Sequence, residues 1–568
     1  MTDQTEATAR RRSGSLLLAT LLTVLAALVA PALASAADRW VDADSGSDGG
    51  NTCTVQASPC KTINQATAAS QSAGDAGTIH VDQGTYAEQV GNLAQTNHLQ
   101  ADDFVAGDGG ATTIDGGNGI ALFIQADASA SGFEIKSNTI GSVVVVLGDA
   151  SVYENTITAK GANSTAVEVF AGSGTPNVAD NTVLADSGDE DNGVVVDPNL
   201  TGRAMVSGNA IGEPADGFAR GIFVKAGSKA TVEGNVILGT RQDGSAGNGV
   251  RIDGADDVDL IDNDIRQPLT ASPNESDGVY ATNLAASDSL ALERNRIIGM
   301  TDTGLVLADV AGAVTSTSDI LANNSDRALF AGNAPDVTVT NATIVASSNA
   351  PLVLNTAHLT LGSSILDQPI SNGGGDVSCE ISYSRGPAIS EGGSGCGEFQ
   401  TTADPQFADR FAATPDLELE PGSPLLDAGD PADPPAGSLD NSGDDRAAES
   451  DGACPHDARR DIGAEELRIP LQECPLVTPP PATDTTAPDT GTVGRKKQRG
   501  HRARFTLTAT EEGSTFDCRL DRGRFAPCDP RYRSRRLNLG RHTLFVRATD
   551  AAGNTDPTPE ARKFKLKR

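Results

Sequence analysis

Aromatic side chains are almost missing from this chain: they make up 4% of its 568 residues, with a single Trp and only five Tyr. A core built on large rings is therefore excluded, and the apolar interior has to come from Val, Ile, Leu and Ala. Histidine is equally sparse, at six residues, and none of the eight cysteines stands in a C-x-x-C pair. Together these absences argue against a zinc site. No helical period of usable length runs through the middle of the chain. After the first thirty or so residues, no second apolar run is long enough to span a bilayer. Positive charge is also in deficit, with 43 Lys and Arg against 76 Asp and Glu, a net charge of −33.

What is present is a repeat between Gly119 and Leu354. A short strand pattern, Gly-apolar-x-apolar, recurs at Gly193-Val-Val-Val196, Gly221-Ile-Phe-Val224, Gly249-Val-Arg-Ile252, Gly278-Val-Tyr-Ala281 and Gly304-Leu-Val-Leu307, with glycines 28, 28, 29 and 26 residues apart. A second pattern, apolar-x-x-Asn-x-apolar, is offset from it. It occurs at Ile135/Asn138/Ile140, Val152/Asn155/Ile157, Val178/Asn181/Val183, Val206/Asn209/Ile211, Val232/Asn235/Ile237, Leu260/Asn263/Ile265 and Leu292/Asn295/Ile297. Each motif has a side-chain period of two and is bounded by Gly, Asp, Asn and Ser, so each reads as a strand with one buried face. Two interleaved motifs at one period of 20–30 residues indicate a solenoid. The L-x-x-L-x-L spacing of leucine-rich repeats is absent, which leaves a parallel β-helix with stacked Val/Ile columns and an Asn ladder in one turn.

These residues resemble the right-handed parallel β-helix repeat proteins of the pectate-lyase-like superfamily, over roughly Trp40 to Ser371. The resemblance implies a right-handed parallel β-helix solenoid, and the alternating strands and tight turns from Phe505 to Leu566 spell a small Ig-like β-sandwich after it, so the expected fold class is all-β. It does not by itself imply a reaction, since that superfamily mixes lyases, hydrolases, epimerases and non-enzymatic surface proteins. The run Pro59-Cys-Lys-Thr-Ile63, Ile79-His-Val81 and Gly84-Thr-Tyr86 is similar to the N-terminal cap of its secreted members. Ala403-Asp-Pro-Gln-Phe407, Asp416-Leu-Glu-Leu419, Gly422-Ser-Pro-Leu425-Leu-Asp427-Ala-Gly429 and Asp461-Ile-Gly-Ala464-Glu465 resemble, in that order, a choice-of-anchor Q domain. Its Asp-x-x-Gly-x-x-Arg element corresponds to Asp440 to Arg446. Phe516-Asp-Cys518-Arg-Leu520, Cys528 and Ala548-Thr-Asp550-Ala-Ala-Gly553-Asn554 resemble bacterial immunoglobulin-like or fibronectin-type modules.

The expected organisation is a signal peptide at 1–37, a cap and first coil at 38–92, and the β-helix at 93–372. A choice-of-anchor Q-like region follows at 373–474, then a Pro/Thr-rich linker at 475–494 and a basic sandwich at 495–568. Arg10-Arg-Arg12, the apolar stretch Ser15 to Val29 and the small residues Ala34-Ser35-Ala36 carry the signal-peptide expectation. Secretion fits the cysteines, which fall into four local pairs expected as disulfides: Cys53 with Cys60, Cys379 with Cys396, Cys454 with Cys474, and Cys518 with Cys528. Ser58-Pro59 reads as the start of a capping helix, with Ile63, Ala66, Ala69 and Ala73 on its apolar face. From Arg495 onward, twenty Lys and Arg face eight Asp and Glu, so the rest of the chain carries −45 within the total of −33.

Three functional expectations follow. Placing alternate residues outward gives one exposed column, Glu168, Val195, Phe223, Arg251, Tyr280 and Val306, and a neighbour, Phe170, Asp197, Lys225, Asp253 and Thr282. With coils about 4.8 Å apart, Phe223, Lys225, Arg251, Asp253 and Tyr280 form one patch suited to sugar rings and uronic acids. Asp42, Asp44 and Asp48 form a D-x-D-x-G-x-D-like string of the kind that binds Ca²⁺, with Cys53 where the bidentate Glu belongs. Catalytic motifs are incomplete. No Gly-His-Gly accompanies the Asp256-Asp257 pair, as the polygalacturonase-like pattern requires. Ala271 replaces the second Arg of a lyase-like Arg266-x-Pro-x-x-Arg string. The reading is a secreted or cell-surface protein that binds carbohydrate, a cell-wall polymer for instance, or serves a structural role. No nucleic acid and no membrane span are expected after signal removal. The alternative is a polysaccharide lyase or glycoside hydrolase acting on acidic polysaccharide.

Overall fold

The computed structural model describes residues 36–567, apart from 94–96, 103–110, 171, 173, 186–190, 199–201, 213–217, 239–246, 268–275, 346–351, 388–395, 413, 432–437, 445, 447–458 and 468–485. The signal-peptide expectation falls outside the described residues. So does the expected disulfide of Cys454 with Cys474: Cys454 lies within 447–458 and Cys474 within 468–485. The chain divides into two compact units, one reaching from the N-terminus to about residue 469 and one made mainly of 470–568.

The first unit is a parallel β-solenoid. One column of strands carries the Gly-apolar motif, from Val90–Leu93 through Arg220–Val224, Gly247–Asp253 and Ser276–Thr282 to Thr303–Ala308. A second column runs from Arg39–Val41 through Arg203–Ser207 and Lys229–Glu233 to Ala313–Thr317. A third, the residues just after each ladder Asn, is a twelve-stranded parallel sheet from Gly84–Tyr86 to Ile365–Leu366. The first two columns merge at the C-terminal end, where Arg327–Thr340, Leu352–Gly362 and Ile370–Ser382 are single long strands. The coils therefore run past residue 372, the expected end, because Ile370–Ser382 continues the parallel register on Leu352–Gly362.

The two sequence motifs turn out to be halves of one packing unit. A Cβ built on Gly221, Gly249 or Gly278 would lie 2.5–2.6 Å from the carbonyl oxygen of the glycine one coil on, and 2.2–2.6 Å from Cγ2 of Ile237, Ile265 or Ile297. The glycine is thus required by the isoleucine of the other motif, and its absent side chain lets the Ile fill the interior. Val and Ile columns such as Val194/Ile222/Val250/Val279 are buried throughout. At roughly 1.5–3 kcal/mol per side chain, this repetition offsets the shortage of aromatics.

The Asn residues form a continuous buried ladder. Asn155, Asn181, Asn209, Asn235 and Asn263 each donate from Nδ2 to Oδ1 of the next Asn, at 2.9–3.1 Å. Each backbone N–H along the same series donates to that oxygen as well. Asn295 ends the amide series by donating to Asp319 Oδ1 at 2.9 Å. Hydroxyls and one amide continue it, with backbone N–H groups donating to Ser364 Oγ, Ser384 Oγ and Gln400 Oε1. Asn138 is not a rung. It is exposed, and Ile140 is 82% exposed, so that sequence match is out of register. The backbone N–H that donates to Asn155 belongs to Phe133.

The N-terminal end is covered by a helix, Ile63–Ala73. It starts four residues later than Ser58-Pro59 suggests, because Thr62 is the N-cap and its hydroxyl accepts from Gln65 N. Its buried face is Ile63, Ala66, Thr67 and Ser70, and Ala73 is exposed. The polar pair Thr67 and Ser70 replaces the expected alanines because a polar network lies beneath it. Ser70 Oγ lies within hydrogen-bond reach of both Asp75 Oδ1 and Asn97 Oδ1, and Arg39 forms a buried ion pair with Asp75 at 2.6 Å.

The described residues of 401–467 return along the outside of the twelve-stranded sheet. Leu417 and Ala464 pack on Ile298, Ile320, Ala322 and Val345, and Leu419, Leu425 and Ile462 pack on Ile365. Arg446 locks this strap. It is fully buried and donates to Ser318 Oγ, Gly463 O and Ala464 O at 3.0, 3.0 and 2.5 Å.

The second unit pairs a three-stranded sheet (Thr490–Val493, Arg504–Ala509, Arg531–Arg533) with a five-stranded one (Lys497–Arg499, Thr515–Leu520, Ala526–Cys528, Gly540–Thr549, Glu560–Lys567). Phe505, Leu507, Phe516, Leu544, Val546 and Phe564 fill the core between them. Thr490–Val493 pairs antiparallel with Arg504–Ala509, so the sheet begins inside the stretch expected as linker. Among the described residues, three of the four expected disulfides are formed: Cys53–Cys60 and Cys379–Cys396 in the first unit and Cys518–Cys528 in the second. The fourth expectation, a bond between Cys454 and Cys474, is not among them, since neither cysteine belongs to the described residues.

Candidate functional site

The Gly-apolar column presents one outward row in register: Phe123, Val145, Glu168, Val195, Phe223, Arg251, Tyr280, Val306 and Phe330. Alternation forces this row outward, because the residues on either side, such as Ile222 and Val224, are buried. Val195 and Val306 belong to the row yet are nearly covered, since larger neighbours overlie such short side chains.

The five expected patch residues are brought together. The Arg251 guanidinium lies 4.2 Å from the Tyr280 ring centroid and 3.5 Å from Asp253 Oδ2. Lys225 Nζ sits 5.8 Å from the Phe223 centroid and bonds Asp197 Oδ1 at 3.1 Å. Asp253 also accepts from Asn283 Nδ2 at 2.8 Å. Arg220, which the alternation pattern does not point to, flanks Phe223 at 5.4 Å and donates to Asn192 Oδ1. The cations are therefore braced by rings and carboxylates while each remains part-exposed. Arg251 has five N–H donors and, among the described residues, one long carboxylate contact, so donors remain for an incoming acid group.

At the edge of the patch, Glu168 lies beside Asp197. Burial raises the Glu168 carboxyl above its ordinary value and a hydrogen bond with Asp197 raises it further, while the Ser142 hydroxyl and Lys225 pull it down. Glu168 and Asp197 are diagonal neighbours, in adjacent coils and adjacent columns. Columns taken one at a time cannot show such a contact; the 29-residue offset, one repeat plus a residue or two, is the signal for it.

The remaining candidates lie elsewhere. Arg266 is on the twelve-stranded sheet, where it pairs with Asp264. Asp257 and Asp259 hold Arg203 on the second column. His80 pairs with Asp102, while His98 and His358 bond Ser129 and Ser378 at 2.6 and 2.8 Å, all outside the patch. The acidic turn is occupied by local donors. Asp42 accepts from Asp44 N, Ser45 N and Ser45 Oγ, and Asp48 accepts from Lys61 N, Thr62 N and Thr62 Oγ1 at the helix start. Among the described residues, no group of three or more His, Cys, Asp or Glu is arranged to hold a metal ion. No helix among them is long and apolar enough to cross a membrane.

Residues 192–364, which carry most of this surface, match a family profile described as a right handed beta helix region. No curated protein matches the chain.

Proposed function

We propose that this right-handed β-helix repeat protein is a secreted or cell-surface protein that binds carbohydrate through the outward row Phe223, Arg251 and Tyr280 with Lys225 and Asp253. The observation that supports it is the Arg251–Tyr280 stack, which sets a charged fork and an apolar ring side by side on a rigid sheet. A uronic acid offers the matching pair, a carboxylate for the fork and an apolar ring face for the aromatic. Binding to a panel of neutral and acidic glycans, measured with Arg251→Ala and Tyr280→Ala, tests the reading. Each variant loses about tenfold or more in affinity for acidic glycans, and unchanged affinity in both removes this surface from consideration.

A second reading, a polysaccharide lyase or hydrolase, is favoured by the Glu168–Asp197 contact alone. A retaining hydrolase needs carboxyls about 5–5.5 Å apart and an inverting one about 6.5–9.5 Å. Glu168 and Asp197 face each other diagonally across adjacent coils, on one surface, as such a carboxyl pair must. Release of reducing or unsaturated ends that disappears in Glu168→Gln supports the enzyme; release that persists in that variant rejects this pair as its source.

A further inference from the structure

We propose that the second unit carries a separate site, a cleft for a linear polymer bearing tetrahedral oxyanions such as sulfate or phosphate esters. A cleft of about 860 Å³ is lined by Arg495, Lys497, Arg499, Arg502, Arg504 and Arg536, with Gln498, Gly500 and His501 completing the wall. Among the described residues, no acidic and no aromatic side chain apart from the His501 imidazole lines it. None of the six cations has a salt bridge among the described residues, whereas Arg547 of the same unit pairs with Asp517. Five of the six are arginines, whose planar forks grip oxyanions bidentately where lysine is a point charge.

The backbone beneath these side chains is fixed. The Gln498 side chain closes the loop on itself, donating to Arg495 O and Arg504 O and accepting from Arg504 N, at 2.9–3.1 Å. Gly500 N donates to Lys567 O, and Gly500 takes a φ of +91°, which a side chain would strain. His501 Nδ1 bonds Leu537 O at 2.8 Å while Leu537 N donates back to His501 O. Ala503 and Ser534 exchange a second such pair. The loop is therefore held at four places, and a ligand does not have to order it.

The strand registers also place like charges side by side. Arg504 stands opposite Arg533, Lys497 opposite Lys565 and Arg499 opposite Lys567. Like charges so placed destabilise a sheet, and a bound polyanion relieves that repulsion. The lining holds no Phe, Tyr or Trp, and His501 is tied through Nδ1 to the Leu537 carbonyl, so recognition rests chiefly on the anionic groups. That disfavours single-stranded nucleic acid, which such clefts bind through ring stacking.

The test uses the full chain with dextran sulfate and inorganic polyphosphate as probes, and uncharged dextran and a dT20 oligonucleotide of matched charge for comparison. Arg499→Ser/Arg504→Ser/Arg536→Ser lowers affinity for the preferred probe by about tenfold or more, in keeping with the loss of charge-assisted hydrogen bonds. Arg522→Ser/Arg524→Ser/Arg541→Ser removes the same charge from exposed positions outside the lining and leaves affinity nearly unchanged. Whether dextran sulfate or polyphosphate binds more tightly identifies the oxyanion, sulfate or phosphate. An equal loss in both triple variants shows diffuse attraction and overturns the site. Tighter binding of the oligonucleotide, or no binding of either polyanion, overturns the ligand class. Because these positions lie outside the Arg251–Tyr280 surface, this result is independent of the carbohydrate reading.

Discussion

The two units use charge in opposite ways. The solenoid is acidic, and cations on its faces stand against carboxylates: Arg203 with Asp257 and Asp259, Arg294 with Asp262 and Glu293, Lys225 with Asp197. The second unit is basic, and the arginines of its cleft are left without counter-ions among the described residues. Their cores differ as well. The solenoid is stabilised by one small unit repeated, in which each coil needs its neighbours. The second unit is closed by a few phenylalanines packed once, Phe505 against Phe564 at 5.2 Å among them. Charge thus serves register in the first unit and is held in reserve in the second.

The comparison breaks most severely at the ladder. Asn235→Ala removes donors to Asn263 Oδ1 and Val206 O and leaves the buried N–H of Asn209 without its acceptor. At about 1–3 kcal/mol for each buried group left unpaired, unfolding measurements on the solenoid show a loss of about 2–4 kcal/mol. Melting of the second unit stays unchanged.

A smaller effect of opposite sign is expected at Asp319. Full burial pushes its carboxyl up to about 7, against an ordinary 3.8, despite donors from Ser316 and Asn295. Because the folded state holds the proton more tightly than the unfolded chain, stability is fully present below about pH 4. It falls as pH rises, and the loss is complete above about pH 7. Asp319→Asn abolishes this dependence and continues the amide series, gaining on the order of 1–2 kcal/mol at pH 8 and almost nothing at pH 4. Glu465 and Glu466, raised by burial to about 7 and about 9, slope the same way, so the difference between variant and parent isolates Asp319.

The smallest effect sharpens the contrast in charge. Arg203→Ala costs the solenoid about 0.2–1 kcal/mol, as part-exposed pairs do. Neutralising Arg504 in the second unit costs nothing and relieves its repulsion with Arg533. Thermal melts at low and high salt separate the two, since salt weakens the first interaction and masks the second.

The periodic parts of this architecture were readable because burial repeats them. Gly221, Ile222, Asn235 and Ile237 recur at one interval, and alternation alone placed Phe223, Arg251 and Tyr280 on one outward row. What escaped is not periodic. The strap depends on contacts such as Arg446 with Ser318, 128 residues apart, for which no local pattern exists. Asn138 and Ile140 satisfy the local motif but lie outside the ladder, because Ile135 is in register with Ile157, which puts Phe133 at the rung below Asn155. Glu168 and Asp197 meet across a diagonal that shifts whenever the repeat length changes.

The ladder has one more consequence. Its rungs are separated by as few as 24 and as many as 32 residues, yet each amide still meets the next. Extra length is absorbed in the turns between strands, and the stack does not count it. Such a rod can accept insertions that enlarge the rim around its outward row while its axial spacing stays constant. What the stack does require is an acceptor at the rung, Asn Oδ1 over most of its length and then Asp319 and the serine hydroxyls.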